Sequence, residues 1–409
     1  MKIVNINSST YKEYANKHMS RNFGQTLEYA NLKFNGHKRK LFLALVDDDD
    51  NIYGATLLLI HNVSPYVTEA IAPSGFLIDY ANYELVNAFT EELKKYLRKE
   101  HVTYLITNPM FKYKVYNKNN IMIENNEKLL NNLYSLNYKS IGYFSQFEKY
   151  DVIIENDIST NDIYNNFNRN TKRNIKEGLN YAISLHKGKY EDLEEAYNIF
   201  KKKTKKKLSF YQNLMKVYNT PDNKMEVFFT KLNPHTYLVN VQKLYEEEVK
   251  KNEKIHKIFD NNIGNITDKL LNKKINSDNT IERLKNELNR AINLNQKYTD
   301  DITIGTSIVI KNNHEIYFLV DGYKEEFRHI HSTHILKWAI IKKYFTLGYH
   351  RFNLGEIHKN YFDKSSKYYG QYMYKIGFGG NVVEYTPNLL LVINKPIYTL
   401  YSKLNRKSY

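Results

Sequence analysis

The sequence predicts an α+β protein built from two similar domains, with an antiparallel helical hairpin inserted into the second. Two observations predict this fold class. The order strand, strand, helix, strand occurs once within residues 1–155 and again within residues 300–409. Between the copies, residues 241–299 are almost free of glycine and proline and carry apolar residues at helical spacing. We therefore divide the chain into a first domain (1–155), a second domain (156–240 and 300–409) and an arm (241–299).

The first domain begins with strands and continues with a helix. The runs "RKLFLALVD" and "IYGATLLLIHNV" are strand-like, and the acidic turn "DDDDN" separates them. A helix is predicted over residues 82–102, because Leu85, Phe89, Leu93 and Leu97 recur at intervals of four and form one apolar stripe. The segment "TYLITNP" then predicts a short buried strand that ends at its proline.

The second domain opens with helices and leads into the arm. Residues 159–185 predict a capped helix followed by a strand, and residues 189–207 predict another helix. We expect "HTYLVNVQKLYEE" (235–247) to begin as a strand. The arm then follows as two long helices with narrow apolar seams, separated near "KINSDN" (274–279), which predicts an antiparallel coiled coil.

After the arm the pattern of the first domain returns. "TIGTSIVIKNNHEIYFLVDGY" predicts two strands joined at the "NN" turn, "HSTHILKWAIIKKYFTLGY" an amphipathic helix, and "HRFNLGEI" a strand. This order is the core of acetyltransferase-like (GNAT-like) acyl-transfer folds. The repeat therefore predicts two such domains, although a fold alone does not determine chemistry.

Composition limits the function classes. The 409 residues include 60 basic and 44 acidic side chains, for a formal net charge of +16. This surplus favours nucleic acid, anionic lipid or phosphorylated ligands, with a basic surface of no specific partner as the alternative. The absence of cysteine excludes thiol catalysis, disulfides and cysteine metal sites. With no signal peptide and no long apolar run, we expect a cytoplasmic protein that touches the inner face of the plasma membrane only peripherally.

One lysine near the end of the chain stands out. Lys375 lies among aromatic residues, immediately before the "GFGG" of residues 377–380. A Walker-type phosphate loop would place its lysine after the glycines and before a helix, whereas "NVVEY" here is strand-like. Two interpretations remain. The stretch is a glycine turn between strands with Lys375 extended to solvent, or Lys375 is a cation fixed among Tyr372, Tyr374 and Phe378 to stabilise an oxyanion.

Other candidate groups are less specific. His329, His331 and His334 are close in sequence but lack a carboxylate motif, so we expect no metal site. No serine stands in a recognisable nucleophile elbow. The basic run Lys201–Lys207 is either a solvated helix face or a surface that neutralises phosphates.

Five stretches are similar to sequences of one known family. They are "FGQTLEYANLK", "APSGFLIDY", "NRNTKRNIKEG", "GYHRFNLGEI" and "YKIGFGGNVVEY". Together they resemble the Fem family, the aminoacyl-tRNA-dependent transferases that build peptidoglycan cross-bridges, and the resemblance covers nearly the whole chain. Ser74 stands where the family usually has arginine. The resemblance implies aminoacyl-tRNA as co-substrate and no other cofactor.

The resemblance also implies catalytic residues. Lys375 matches the family's lysine that contacts the peptide acceptor and the developing transition state, beside a structural "GFGG" turn. Tyr374 and Phe378 are assigned to substrate binding with it. Aminolysis of the tRNA ester passes through an oxyanion, and no enzyme nucleophile is needed because the ester is already activated. Asn108 stands where the family has an aspartate before proline, and an amide cannot accept the amine proton, so substrate groups or water must carry it.

Two cations are implied for the acceptor's diphosphate. Lys33 matches the first of them. Lys207 stands at the arginine of a Thr-x-x-Arg pattern, with Tyr211 one helical turn later. Lysine in place of arginine keeps the charge but loses the bidentate geometry.

The resulting prediction is an aminoacyltransferase that acts on the stem peptide of a peptidoglycan precursor, either lipid II or a UDP-linked muramyl peptide. The arm is assigned to tRNA engagement, with a structural brace or an arm that binds a protein partner as the alternatives. One rival is an acyl-CoA-dependent N-acyltransferase, which requires a Gln/Arg-x-x-Gly-x-Gly/Ala turn before a helix that neither repeat contains. The other rival is a non-catalytic RNA-binding protein, in which Lys375 would be dispensable.

Overall fold

A computed structural model gives the fold of the chain. It describes residues 1–19, 23–33, 39–145, 149–155, 159–181, 183–262, 264–312 and 314–405. Within these ranges, no helix combines the length and the apolar character that crossing a membrane requires.

Strands are distributed along the whole of the described chain. In order they are β1 (Lys2–Asn5), β2 (Arg39–Val46), β3 (Ile52–Ser64), β4 (Val67–Ala72), β5 (Tyr104–Thr107), β6 (Lys114–Tyr116), β7 (Met122–Asn125), β8 (Lys139–Ser140), β9 (Tyr150–Glu155), β10 (Ile183–Gly188), β11 (Lys224–Leu232), β12 (Ile302–Lys311), β13 (Glu315–Tyr323), β14 (Arg351–Ile357), β15 (Asn381–Glu384) and β16 (Leu389–Val392).

Helices lie between these strands and at the end of the chain. In order they are α1 (Ser8–Lys17), α2 (Leu27–Lys33), α3 (Tyr83–Lys99), α4 (Glu127–Ser135), α5 (Thr160–Asn166), α6 (Arg169–Leu179), α7 (Leu193–Phe200), α8 (Leu208–Val217), α9 (Pro234–Asp260), α10 (Asp268–Lys297), α11 (Ser332–Phe345), α12 (Tyr369–Ile376) and α13 (Lys395–Asn405). Short 3₁₀ helices occupy Phe23–Gln25, Lys201–Lys203 and Glu325–Ile330.

The strands form two sheets that share one core topology. The first sheet has the order β1-β2-β3-β4-β5-β16-β8, and the second has the order β10-β11-β12-β13-β14-β9-β15-β6-β7. In the first, β2, β3 and β4 are antiparallel and β4 runs parallel to β5. In the second, β11, β12 and β13 are antiparallel and β13 runs parallel to β14. Helices α3 and α11 connect the parallel pairs, which confirms two GNAT-like domains.

The two sheets exchange strands between the halves of the chain. β16, from the end of the chain, pairs with β5 in the first sheet, with Leu389 opposite Thr107. β9, which ends at Glu155, pairs with β14 and β15 in the second sheet, and β6 and β7 also belong there. The division at residue 155 therefore does not coincide with the division between the sheets. An alternating strand pattern reports burial on one face and carries no information about the partner strand.

Each domain buries a helix against its sheet. Phe89, Leu93 and Leu97 of α3 lie in the core of the first domain, with Leu85 partly buried at its margin. Ile340 of α11 occupies the corresponding core of the second domain. Because burying such a side chain contributes about 1.5–3 kcal/mol, these helix–sheet contacts hold the strand ends of each domain in place.

The segment "HTYLVNVQKLYEE" is helical, so the prediction of a strand there was wrong. It belongs to α9, which begins at Pro234. The side chain of Asn233 caps the helix by accepting a hydrogen bond from the amide of Thr236 at 2.9 Å. Tyr237 and Val241, four residues apart, pack together into the core, which is helical spacing. The strand of this region is β11, which was not predicted from the sequence.

The arm is an antiparallel pair of helices, of which α9 ends at Asp260 and α10 begins at Asp268. The predicted break at "KINSDN" was wrong, because this segment lies within α10. Its polar residues bridge the two helices. The Ser277 hydroxyl donates to Glu248 at 3.0 Å, and Asp278 accepts from the Asn252 amide at 2.7 Å. Residues that resemble a loop in sequence are thus part of the interhelical contact.

Candidate active site

The segment that carries Lys375 is a helix. α12 ends at Ile376, and the glycine turn that starts at Gly377 then leads into β15. Gly379 has φ +79°, and a Cβ added there would lie 2.8 Å from the carbonyl oxygen of Asn166. Glycine is therefore required at this position. The interpretation of "GFGG" as a turn between two strands is wrong, since the turn joins a helix to a strand.

The ammonium of Lys375 rests on the backbone of β14. Its Nζ donates to the carbonyl oxygen of Glu356 at 2.8 Å. A Cβ added to Gly355 would lie 3.1 Å from this Nζ and 3.0 Å from the carbonyl oxygen of Phe318. Gly355 also has φ +86°, a conformation that other residues rarely adopt. Because Gly355 has no Cβ, the Lys375 ammonium can approach the backbone at this position.

The parallel pair β13 and β14 brings further charges to the same region. The two strands pair only from Glu315 to Tyr317 and both continue beyond that point. Asp321, farther along β13, forms a 2.8 Å ion pair with Lys337 of α11, whose side chain is 0% exposed. The Nζ of Lys337 also lies 3.7 Å from the ring centroid of Phe318. The carboxyl ends of parallel strands are the usual binding edge of such sheets.

Lys375 and Asp151 influence each other's protonation. Asp151 of β9 is buried and accepts a hydrogen bond from the Asn353 amide at 2.7 Å. Burial raises the pKa of Asp151 to about 6, against the opposing effects of this hydrogen bond and of Lys375. Burial lowers the pKa of Lys375 to about 8, aided by Lys337 and opposed by Asp151 and Asp321. We call Lys375, Lys337, Asp151 and Asp321 the second strand-end site.

Tyr374 and Phe378 pack beside this site. Phe378 is fully buried, with its ring centroid 5.1 Å from that of Phe167 and 5.8 Å from that of His334. The hydroxyl of Tyr374 donates to the carbonyl oxygen of Thr333 at 3.3 Å, and burial raises the pKa of Tyr374 well above its usual value. Both side chains thus support the site from the protein interior, and their contact with substrate stays a prediction.

The three candidate histidines have separate partners. His329 lies 2.7 Å from Glu287, and His331 lies 3.9 Å from Glu177. His334 is enclosed by aromatic rings, and burial lowers its pKa to about 4. In the part of the chain that the structure describes, no three His, Cys, Asp or Glu side chains are placed to hold a metal ion.

Asn108 lies at the corresponding position of the first domain. There β4 and β5 end at Ala72 and Thr107, and the Thr107 hydroxyl donates to the Ala72 carbonyl at 3.3 Å. The side-chain oxygen of Asn108 accepts the amide N–H of Ser74 at 2.7 Å. We call these four residues the first strand-end site. Asn108 therefore follows a strand of the first sheet, whereas Lys375 contacts a strand of the second, and a catalytic role for Asn108 stays a prediction.

The predicted diphosphate ligands lie on two helices that pack together. Lys33 is the last residue of α2, and its side chain lies outside the described residues. Lys207 is exposed at the start of α8. Tyr211 is buried, packs in the same apolar cluster as Tyr29 of α2, and donates to the Thr204 hydroxyl at 3.0 Å. The binding of a diphosphate by these residues stays a prediction.

Asp151, Asp321 and Lys337 were not predicted from the sequence. Each stands within or at the end of an otherwise apolar run, in "YDVII", "YFLVD" and "HILKWAII". A charge in such a run is costly unless the fold pairs it, so it is a signal for a functional group. A charge within an apolar run identifies each residue as a candidate, and only the fold places the three side chains in the second strand-end site.

Comparison with known proteins gives consistent matches over the whole chain. A sequence model of the FemAB family matches residues 6–406. Aminoacyltransferase FemA of Staphylococcus epidermidis is 24% identical over 429 residues, which cover 99% of each chain. FemA of Staphylococcus aureus is 22% identical over 425 residues, again with 99% of each chain covered. The crystal structure of FemX has the same fold, with a TM-score of 0.73 and 19% identity over 98% of this chain and 99% of that chain.

Proposed function

The chain belongs to the FemAB family and is an aminoacyltransferase, and we propose that it acts in peptidoglycan synthesis. In this proposal the donor is aminoacyl-tRNA, and the acceptor is the side-chain amine of the stem peptide on a lipid-linked or UDP-linked precursor. The product is an amide bond that begins or extends an interpeptide bridge. The observation that supports it most directly is the placement of Lys375 in the second strand-end site.

Lys375 supplies the charge that the reaction needs. Attack of the amine on the ester carbon of the donor forms a tetrahedral intermediate with a negatively charged oxygen. An ammonium already positioned by the Glu356 carbonyl can donate to this oxygen, and one such donor is typically worth about 3–4 kcal/mol. The tRNA ribose oxygen then leaves as the carbonyl re-forms. Asp151 and Asp321 favour the charged form of Lys375 against burial.

The amine must lose a proton during the reaction. Asn108 cannot accept it, because an amide has no basic site in this pH range. Water or a hydroxyl group of the substrates carries the proton in the proposed mechanism. No enzyme nucleophile takes part, which agrees with a sequence that contains no cysteine.

The connection between β13 and α11 disfavours acyl-CoA as the donor. In acetyltransferase-like folds a pyrophosphate would bind to backbone amides where the helix begins. Here the connection is the 3₁₀ helix Glu325–Ile330, whose first turn carries Glu325 and Glu326. Glu325 is paired with Arg328 at 3.2 Å, and the carboxylate of Glu326 repels a pyrophosphate. The net charge of +16 instead favours a polyanion such as tRNA, and it suits peripheral contact with an anionic membrane face.

A transfer assay tests the proposal. The purified protein is incubated with a mixture of charged tRNAs and with either lipid-linked or UDP-linked precursor, and products are identified by mass spectrometry. We expect the precursor to gain the mass of one or more aminoacyl residues, and ribonuclease treatment of the donor to abolish the gain. Acetyl-CoA in place of charged tRNA serves as the rival arm. An acetylated product, or no aminoacyl product from any charged tRNA, would contradict the proposal.

A further inference from the structure

A cavity of about 460 Å³ lies beside α8, at the place where β10 ends. β10 pairs with β11 only as far as Gly188 opposite Val227, so it does not cover the start of β11. Lys224, Met225 and Glu226 of β11 line the cavity there. Its volume falls within the range of about 300–1,000 Å³ that is typical of small-molecule sites. Its lining includes no residue of the second strand-end site.

The cavity has a strongly positive lining. Lys187, Lys189, Lys216 and Lys224 contribute four cations, and Glu226 contributes one carboxylate, so the formal charge of these five side chains is four minus one, or +3. Apart from Lys187 with Glu226, no ion pair involves these lysines in the part of the chain that the structure describes. Such a concave cluster of cations attracts an anionic group.

Glu226 indicates that the ligand also carries a hydrogen-bond donor. Its side chain is 6% exposed, and its Oε1 accepts from Lys187 at 2.5 Å. Its Oε2 is buried and, among the described residues, accepts no hydrogen bond. A buried acceptor without a donor is unfavourable. Because this oxygen is buried, a ligand N–H reaches it only when the Glu226 side chain turns towards the cavity, and Lys187, which is 45% exposed, can then follow a bound anion.

The remaining lining is aromatic and apolar. Tyr190 is half-buried, and the Nζ of Lys216 lies 5.5 Å from its ring centroid. Met215 and Met225 also line the cavity. Aromatic rings stack on the bases of unpaired nucleotides, carboxylates accept the amino group of cytosine, and lysines bind phosphate. All three components are present around one cavity.

We propose that this cavity binds a nucleotide whose base carries an amino group. The base stacks on Tyr190, its amino group donates to Glu226, and its phosphate lies among Lys189, Lys216 and Lys224. A free nucleotide and an unpaired nucleotide of an RNA strand present the same chemistry. The proposal uses none of the residues assigned to amino-acid transfer, so it stands or falls independently of the proposed function.

Titration calorimetry of the full-length protein with CMP, UMP and inorganic phosphate tests this proposal. We expect saturable binding of CMP, weaker binding of UMP, and the weakest binding of phosphate. Glu226→Gln should weaken CMP binding roughly tenfold, the loss typical of a hydrogen bond to a charged group, and should change UMP binding little. A short single-stranded oligocytidine distinguishes the sources, since tighter binding than CMP assigns the site to RNA and equal binding assigns it to the free nucleotide.

Matched charge variants control for a general electrostatic effect. Lys216→Glu should weaken binding of all three ligands, whereas Lys285→Glu, an identical charge change on an exposed part of α10, should not. If Glu226→Gln fails to fold, Tyr190→Leu replaces it and should abolish the preference of CMP over phosphate. Equal affinities for CMP, UMP and phosphate, no saturable binding, or equal effects of the two lysine variants would each overturn the proposal.

Discussion

The two strand-end sites occupy the same place in the repeated fold but differ in chemistry. In the first site, hydroxyl, amide and backbone groups form neutral hydrogen bonds, such as the one between Asn108 and Ser74. In the second, Lys337 and Asp151 are buried, Lys375 and Asp321 are half-buried, and the four charges act on one another. The same strand order thus supports a neutral loop contact in one domain and a charged cluster in the other.

This difference shows that two copies of one fold can carry side chains of very different charge at the same position. Neutral hydrogen bonds contribute about 0.5–1.5 kcal/mol each and leave the pKa values of their groups in place. Buried charges are costly to desolvate, and they shift one another's pKa values, which is the condition that catalytic groups need. The backbone topology is common to both sites, so the difference between them lies in their side chains.

The largest effect is expected from removing the ammonium group of Lys375 in the second strand-end site. Lys375→Met keeps the apolar stem and should lower kcat of transfer about 100- to 1,000-fold, the loss typical of one transition-state donor. Steady-state transfer kinetics on a variant of unchanged thermal stability measure it, with Lys285→Met as the control. A raised KM at nearly unchanged kcat would mean that Lys375 only anchors the acceptor, and unchanged values would remove its role.

The second expected effect is on the free energy of unfolding of the protein, through the buried Asp151 of the second strand-end site. The pKa of Asp151 is about 6 in the folded protein and about 3.9 in an unfolded chain. The stability that this raised pKa gives is present below about pH 4 and is lost as pH rises through 6. Because asparagine does not titrate, Asp151→Asn should gain about 2–3 kcal/mol relative to wild type between pH 4 and 7.

Chemical unfolding at several pH values measures this gain. Asp300→Asn, at an exposed position after α10, serves as the control and should show no such trend. A constant difference between wild type and Asp151→Asn across this range would show that Asp151 does not titrate as its burial requires.

A smaller effect is expected in the pH profile of transfer. With the pKa of Lys375 near 8, the ammonium that serves as donor is lost above that pH. We expect kcat of wild type to fall by up to about tenfold for each pH unit above 8. The residual activity of Lys375→Met should lack this descending limb. A limb that persists in the variant would belong to another group.

The smallest effect is expected in the first site. Asn108→Ala removes the acceptor for the Ser74 amide and should lower the free energy of unfolding by about 1 kcal/mol. Its effect on kcat should be far smaller than that of Lys375→Met. Thermal unfolding and transfer kinetics of the same variant separate the two quantities. A loss of kcat as large as that of Lys375→Met would break the distinction between the two sites and assign Asn108 to the reaction.

Much of the local structure could be predicted because short-range spacing determines it. The stripe of Phe89, Leu93 and Leu97 predicted α3, and the apolar face of the arm predicted a helical hairpin. The strand predicted at "HTYLVNVQKLYEE" was wrong because a run rich in β-branched and aromatic residues suits either a strand or a buried helix. Pro234 and the Asn233 cap decide for the helix.

The site could be predicted only in part. Lys375 was found from its place beside the glycine turn and from the family resemblance, but its neighbours were not. Asp151 lies more than two hundred residues earlier in the chain, on a strand that the two halves exchange. Its proximity to Lys375 depends on β9 pairing with β14 and β15, and no local pattern specifies that pairing.

The sequence by itself determined the class of the fold, the repeated order of its elements, the positive charge and the absence of thiol chemistry. These properties follow from composition and from spacings of a few residues. The tertiary structure alone decided which strands pair, where the arm turns, and which charges become neighbours. Desolvation and charge–charge interactions act over a few ångströms in space, so the shifted pKa values of Lys375 and Asp151 exist only once the sheet has brought their side chains together.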